Sequence, residues 1–199
     1  MPELVIQRLH GAAIATAVDQ LAALRLRVFR EYPYLYDGDE AYERRYLQTY
    51  INSPRSLCLL VLDGDAVVGA STALPLVDHV EEFQHPLIAA GMDLSRIFYF
   101  GESVVLPAYR GRGLGVRFFA EREAHARALG GFDWCCFCAV ERPADHPLRP
   151  AGYQPLDHFW QQRGFHHQPQ LRTHYEWPDL GENRPSAKPM SFWLKEMRG

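Results

Sequence analysis

The feature of this sequence that most constrains its fold is a glycine-rich segment that joins a long apolar strand to a helix. The run from Ile97 to Leu106 predicts a buried strand, which Pro107 ends. The segment Arg110–Gly115 reads Arg-Gly-Arg-Gly-Leu-Gly, and a helical pattern follows it as far as Leu129. Glycines let backbone N–H groups approach a ligand, and a helix N-terminus adds unpaired donors and a positive dipole end. The segment therefore predicts a binding site for a pyrophosphate.

Two common phosphate-binding loops do not fit this segment. A P-loop places Lys-Ser or Lys-Thr after its last glycine, whereas Val116 follows Gly115. The dinucleotide-binding turn Gly-x-Gly-x-x-Gly needs a glycine at position 116, but here the third glycine lies at 115. A surface turn that uses glycine only for its backbone is the remaining alternative. Arginines in register with the glycines at a helix start argue against that alternative.

The order of predicted elements alternates strands and helices around one mixed sheet, which is the pattern of an α/β (α+β) fold. No linker divides the 199 residues, so we expect a single domain over 1–199. The other predicted elements are strands at Leu4–Leu9, Leu57–Leu62, Ala66–Leu74, Phe132–Val140, Arg172–Trp177 and Ser191–Met197, and helices from Thr16 or Asp19 to Phe29, at Glu40–Ile51, partly within Pro75–Arg96, and at Leu156–Arg163.

Composition excludes several classes of function. The net charge of −3 argues against electrostatic capture of nucleic acid, and no apolar run reaches the ~18 residues of a membrane span. The four cysteines show no disulfide spacing, which predicts a reducing, cytoplasmic location. Cys135, Cys136 and Cys138 lack the spacing of zinc ligands, so we expect no metal and regard them as core residues.

Two motifs resemble those of the GNAT (Gcn5-related) N-acetyltransferase superfamily. One is Arg110-x-x-Gly113-x-Gly115 after the strand, and the other is Phe159–Phe165, which is similar to the family's Phe-Tyr-x-x-x-Gly-Phe. The resemblance implies a largely antiparallel central sheet flanked by helices, with splayed strands at its centre, and acetyl-CoA as co-substrate. The residues that it implies for binding coenzyme A are Val104, Val105, Leu106, Arg110, Gly111, Arg112, Gly113, Leu114 and Gly115.

Direct transfer of an acetyl group to a primary amine needs a proton acceptor, because an alkyl amine with a pKa near 10 is protonated at neutral pH. Glu102 is the candidate base, since it alternates with Phe98, Phe100 and Val104 along an apolar strand. Burial there would raise its pKa toward a useful range. A structural glutamate paired with Arg or His is the alternative.

The acid that protonates the leaving thiolate is harder to assign. The family often uses the tyrosine of its Phe-Tyr motif, but this sequence has Trp160 there, and indole is not a useful proton donor. Tyr153, His158 and Tyr175 are candidate substitutes. Departure of the thiolate without an acid stays open as well.

The segment between the first two helices combines aromatic and acidic residues that suit a cationic amine: Tyr34, Tyr36, Asp37 and Asp39. An ordinary solvated turn is the alternative. The predicted partner is a small-molecule or peptide amine, and a homodimer stays open. Two other functions also stay open, namely a non-catalytic coenzyme A-binding module and an acyltransferase that uses a longer acyl chain.

Overall fold

One mixed sheet forms the centre of the molecule in the computed structural model, which describes residues 4–197. Within that part of the chain seven strands lie in the order β1-β2-β3-β4-β5-β7-β6. The strands are β1 (Val5–Leu9), β2 (Leu57–Asp63), β3 (Ala66–Pro75), β4 (Ile97–Val105), β5 (Trp134–Val140), β6 (His166–Trp177) and β7 (Ser186–Glu196). The helices are α1 (Val18–Phe29), α2 (Glu40–Asn52), α3 (Glu81–Ala89), α4 (Leu114–Leu129) and α5 (Asp157–Gln161).

Among the described residues, neighbouring strands pair antiparallel except at the centre, where β4 and β5 run parallel. The prediction of a mixed, largely antiparallel sheet flanked by helices is therefore confirmed. The predicted domain bounds at 1 and 199 lie outside the described residues.

Helices cover both faces of the sheet and bury apolar side chains against it. Leu21 of α1 and Leu47 of α2 belong to one fully buried cluster, while Phe119 of α4 packs with Phe98 and Phe100 in another. Each such side chain contributes about 1.5–3 kcal/mol when it leaves water. Each face of the sheet therefore carries an apolar cluster of its own.

The last two strands are longer than the sequence predicted, since β6 starts at His166 and β7 at Ser186. A register shift between Gln168 and Arg172 lets β6 continue past an irregularity instead of ending there. In β7, Pro189 keeps its carbonyl available and accepts a hydrogen bond from the N–H of Glu141. A proline that only accepts is compatible with a strand, so the Pro-rich connection does not interrupt pairing.

His79 is a buried ring in the compartment beneath α1 and α2. Its ring contacts Phe83 and Tyr99 edge-on at centroid distances of 4.8 and 4.6 Å, and its Nδ1 accepts from the N–H of Val80. Burial, followed by the positive charge of Arg25, lowers the pKa of His79 from 6.5 to about 3. The folded protein therefore holds this imidazole neutral at every pH above about 3.

Replacing His79 by phenylalanine should flatten the pH dependence of stability on the acidic side. Between pH 6.5 and about 3 the unfolded chain binds a proton on His79 that the folded chain does not. Wild-type stability therefore falls as pH falls through that window, by up to ~1.4 kcal/mol per pH unit. Urea unfolding of both proteins from pH 4.5 to 7.5 measures the slopes. Equal slopes for the two proteins would contradict the assignment.

Candidate functional site

The central strands β4 and β5 separate soon after they begin. Their parallel pairing joins Ile97, Phe98 and Tyr99 to Trp134, Cys135 and Cys136, and beyond those residues the two strands no longer pair. The splayed centre that the sequence resemblance implied is therefore present. The gap leaves backbone groups of both strands without a strand partner, so an extended ligand can lie between them.

A bulge in β4 lies beside this gap. Ser71 of β3 pairs with Ser103, but Ala73 pairs with Phe100, so β4 carries one extra residue. A side chain of β3 satisfies a backbone group at the bulge, since Ser71 Oγ donates a hydrogen bond to the carbonyl of Glu102 at 2.8 Å. Gly101 has no room for a side chain, because a Cβ there would lie 2.1 Å from the Tyr50 hydroxyl.

The bulge corrects one sequence prediction. Phe98 and Phe100 belong to the cluster beneath α4, whereas Val104 packs in the cluster beneath α1 and α2. The carboxylate of Glu102 lies near Arg25 of α1. The prediction that Glu102 shares one face of β4 with Phe98 and Phe100 is therefore wrong. The extra residue at the bulge places the side chain of Glu102 on the opposite face of the strand.

The glycine-rich segment opens α4, which begins at Leu114. Gly111 and Gly113 both have φ +75°, a left-handed conformation that favours glycine, and a Cβ at either would project into open space. Gly113 is the N-cap and offers no side-chain acceptor, so the first amides of the helix lack a cap hydrogen bond. These amides and the helix dipole form an anion-binding concavity that fits a diphosphate.

The two arginines of the segment hold the loop in place. Arg110 Nε donates to the carbonyl of Val105 at 3.0 Å, and its Nη1 pairs with Glu31 at 2.8 Å. Arg112 donates to the carbonyl of Ala108 at 3.2 Å and does not line the cleft described next. The backbone amides are therefore the donors that the loop leaves available for an anion.

A cleft of about 920 Å³ runs from this loop through the gap between β4 and β5 to the opposite face of the sheet. Near the loop it is lined by Phe119, Phe137 and Trp160, and at the far end by Tyr36, Tyr99 and Trp177. The predicted residues that line it are Tyr34, Tyr36, Glu102, Val105, Arg110, Gly111, Gly113, Leu114, Gly115, Tyr153 and Tyr175.

A buried charge cluster lies at the far end of the cleft. Arg25 Nη1 is 2.7 Å from Glu102 Oε2, and its Nε donates to Glu43 of α2. All three side chains are buried, with Glu43 fully inaccessible to solvent. Burial opposes the charge of Arg25, but Glu102 and Glu43 together raise its pKa well above the ordinary value. Loss of one partner from such a buried group costs about 3–5 kcal/mol.

The sequence model of the acetyltransferase (GNAT) family matches residues 19–153, which include the loop, the gap and the charge cluster. The chain belongs to the GNAT acetyltransferase family. No curated protein matches the chain. In this family acetyl-CoA is the acyl donor, and the glycine loop and open gap described above fit it.

Solved structures of GNAT acetyltransferases share the fold at low sequence identity. Arabidopsis thaliana NAA60 in complex with acetyl-CoA is 13% identical with a TM-score of 0.63, covering 99% of this chain and 100% of that chain. The Drosophila melanogaster polyamine N-acetyltransferase is 14% identical with a TM-score of 0.61, covering 98% and 100%. An N-acetyltransferase from Staphylococcus aureus is 10% identical with a TM-score of 0.61, covering 98% and 99%.

The candidate acids of this GNAT protein lie in three different places. Tyr153 lines the cleft and packs edge-on against Tyr32 at 4.7 Å between ring centroids. Tyr175 lines the far end, where its hydroxyl lies 2.6 Å from that of Tyr42. His158 is exposed, contacts Gln162 and lies outside the cleft lining. Tyr153 and Tyr175 therefore line the cleft, whereas His158 lies outside its lining.

The predicted acidic residues of the acceptor segment do not reach the cleft. Asp37 pairs with Arg30 on the surface, and Asp39 caps α2 by accepting a hydrogen bond from the N–H of Tyr42. The tyrosines at 34 and 36 do line the cleft. The two predicted tyrosines therefore line the cleft, whereas the two predicted aspartates lie outside its lining.

Besides Arg112, two more of the residues that were implied for coenzyme A lie outside the cleft lining. Val104 is buried in the core beneath α1 and α2. The N–H of Leu106 already donates to the carbonyl of Val68 at 2.9 Å, so it is not open to a ligand.

Sequence reasoning did not predict the ion pair of Arg25 with Glu43 or the close backbone approach at Gly101. Arg25 follows Leu21 by four residues and Glu43 precedes Leu47 by four, so helical periodicity places both charges on buried faces. A glycine inside an otherwise apolar strand is a signal of a bulge or a close backbone approach. These signals were present in the sequence and indicate two charges on buried helix faces and a close backbone approach at Gly101.

Two absences hold for the described part of the chain. Across residues 4–197 no group of three or more His, Cys, Asp or Glu side chains is arranged to hold a metal ion. Among the same residues, no helix combines the length and apolarity needed to cross a membrane.

Proposed function

We propose that this protein acts as a single acetyltransferase domain that moves an acetyl group from acetyl-CoA directly to a primary amine. The observation that carries the proposal is the cleft, because it connects the amides at the start of α4 to the buried carboxylate of Glu102 through the gap between β4 and β5. One continuous space therefore joins a diphosphate site to a candidate base.

The loop and the gap provide the donor side of the site. The amides from Gly111 to Gly115 would hold the diphosphate of acetyl-CoA, and the walls formed by Val105 and Ala139 would flank its pantetheine arm. Bound acetyl-CoA supplies an acetyl group activated as a thioester. Gly115 lets α4 approach α5, since a Cβ there would lie 3.1 Å from the ring of Phe159.

Glu102 is the proposed proton acceptor for the incoming ammonium. It lines the cleft, is 6% exposed, and is oriented by the buried guanidinium of Arg25. Cys138 also lines the cleft, but burial raises the pKa of its thiol well above the ordinary value. A thiol held protonated is a weak nucleophile, so direct transfer is preferred to a covalent intermediate on cysteine.

Tyr153 is the proposed proton donor to the leaving thiolate. Burial, followed by the neighbouring Tyr32, raises the pKa of its phenol, so the proton stays on oxygen at neutral pH. Tyr175 is less suitable, because its hydroxyl is already engaged with Tyr42 at the far end. His158 lies outside the cleft.

One structural neighbour supports an amine acceptor, and another supports acetyl-CoA as the donor. The Drosophila enzyme is described as a polyamine N-acetyltransferase that forms N-acetylagmatine, and Arabidopsis NAA60 was solved with acetyl-CoA. On the sequence alone we place the protein in the cytoplasm, without nucleic-acid or membrane partners, and a homodimer stays a prediction.

Thiol release with a panel of amines tests the proposed function. We expect amine-dependent release of coenzyme A thiol and an acetylated product in the mass spectrum. Acetyl-CoA binding without thiol release would instead support the non-catalytic module, which Trp160 at the usual tyrosine position favours. A parallel series with hexanoyl-CoA tests the longer acyl chain, and faster turnover with it would replace acetyl as the donor group.

A further inference from the structure

The far end of the cleft carries a carboxylate whose oxygens are not satisfied by the protein. Among residues 4–197, neither Oε1 nor Oε2 of Glu102 has a hydrogen-bond partner, and the side chain is only 4% exposed. Arg25 Nη1 lies 2.7 Å from Oε2 without the alignment of a hydrogen bond. Buried carboxylate oxygens without donors cost free energy, which a donor from a ligand relieves.

Glu102 shares its ion-pair partner with a second carboxylate. Arg25 is a single positive charge placed between two carboxyl groups, those of Glu43 and Glu102. The buried Arg122 also lines the cleft, but its Nη1 donates to the backbone carbonyl of Glu102 and not to its carboxylate. The other glutamates that line the cleft within the described chain, Glu31 and Glu141, pair with arginines of their own. A primary ammonium, with three N–H donors and one charge, matches the unsatisfied carboxylate of Glu102.

The far end of the cleft has aromatic walls. Phe83 and Tyr175 lie 5.2 Å apart between ring centroids, Tyr34 and Trp177 lie 5.9 Å apart, and all four line the cleft. The Tyr175 hydroxyl is engaged with Tyr42, so these walls present ring surfaces more than free polar groups. Burial raises the pKa of Tyr34 and Tyr175, so their phenols add no negative charge at neutral pH.

The chain itself occupies the backbone groups beside this compartment. The N–H of Asp37 donates to the carbonyl of Pro178 at 2.9 Å, and the N–H of Leu180 donates to that of Leu35 at 2.8 Å. Arg142 donates to the carbonyls of Pro33 and Tyr34 at 2.7 and 2.8 Å. An extended peptide therefore finds these backbone groups already paired.

We propose that the acceptor is a small monoamine with a flat or apolar body, whose ammonium lies beside Glu102 and whose body lies among Phe83, Tyr175 and Trp177. The inference rests on the proposed function and narrows its acceptor. A polyamine fits less well, because Glu102 is, among the described residues, the one buried carboxylate of the cleft lining with neither oxygen hydrogen-bonded, so a second ammonium finds no equivalent partner. A peptide fits less well, because the segments at 33–37 and 178–180 bind each other.

An acceptor panel at saturating acetyl-CoA tests this class. We compare 2-phenylethylamine, hexylamine, 1,4-diaminobutane, spermidine and a tetrapeptide with a free N-terminus, reading kcat/KM from thiol release. We expect kcat/KM for the two monoamines with apolar bodies to exceed that of the others at least tenfold. Preference for the peptide or a polyamine would overturn the acceptor class alone. Thiol release with none of them would overturn both the class and the proposed function.

A pair of variants on α3 checks the aromatic wall. Phe83→Ala removes a ring that lines the cleft and should raise KM for 2-phenylethylamine at least tenfold, with the Kd for acetyl-CoA unchanged. Leu87→Ala, one turn further along α3, removes an equally buried side chain that does not line the cleft. Leu87→Ala should lose similar stability and keep the wild-type KM. Equal KM values for the two variants would contradict the proposed wall.

Discussion

Replacing Glu102 by glutamine is expected to lower kcat about 100-fold at neutral pH, the scale of a lost general base. The Kd for acetyl-CoA should change less than about threefold, since Glu102 lies at the far end of the cleft from the loop. Glutamine keeps the size of the side chain and removes its capacity to accept a proton. Steady-state kinetics and calorimetric titration measure the two quantities separately.

The pH profile of the Glu102→Gln variant gives the sharper result. Without a protein base, the amine reacts only in the fraction that solution has already deprotonated. Below the amine pKa of about 10, the rate of the variant should therefore rise about tenfold per pH unit. The wild-type rate should depend on pH less steeply, because Glu102 removes the proton within the complex.

Glu43→Gln is the matched control for this experiment. Glu43 pairs with the same guanidinium of Arg25 but belongs to α2, so the control removes an equivalent partner of the buried cation. If Glu102 only balances the charge of Arg25, both variants should lose similar stability and share one pH profile. An unchanged turnover of Glu102→Gln across pH would remove Glu102 from the mechanism.

The sequence predicted the fold well where the signals are local. The strand that ends near Pro107, the glycines that follow and the helical pattern to Leu129 are adjacent in the chain, and each has its own physical signature. The structure places α4 at Leu114–Leu129 and the N-cap at Gly113. The succession of these local signals along the chain therefore predicts the position of the glycine-rich loop without any tertiary contact.

The sequence did not predict which face of β4 carries Glu102. Strict alternation assumes a regular strand, and the extra residue at the bulge reverses it. The bulge depends on contacts of Gly101 with Tyr50 of α2 and Thr72 of β3, which are distant in sequence. Tertiary packing therefore decided the facing of the candidate base.

The two predicted aspartates of the acceptor segment lie outside the cleft lining for a different reason. Asp39 stabilises the start of α2, and Asp37 forms an exposed pair with Arg30, so both have local structural roles. The negative charge at the cleft comes instead from Glu43 and Glu102, which helical and strand packing bring to one guanidinium.

Replacing Gly113 by valine is expected to weaken acetyl-CoA binding at least about 30-fold. Gly113 has φ +75° and caps α4, and a β-branched residue in that conformation is strained by more than the ~1–2 kcal/mol of an ordinary side chain. Relief of the strain turns the first amides of α4 away from the anion. A 30-fold change corresponds to about 2 kcal/mol, the worth of one hydrogen bond to a charged group.

Gly91→Val is the matched control for the loop. Gly91 has φ +74°, a Cβ there would also project into open space, and it lies outside the cleft lining. We therefore expect a similar loss of stability from backbone strain but an unchanged Kd for acetyl-CoA. Calorimetric titration of acetyl-CoA into both folded variants distinguishes a loss of affinity from a loss of stability alone. Equal affinities in the two variants would mean that the amides between Gly111 and Gly115 do not bind the diphosphate, because strain at position 113 would then have no effect beyond stability.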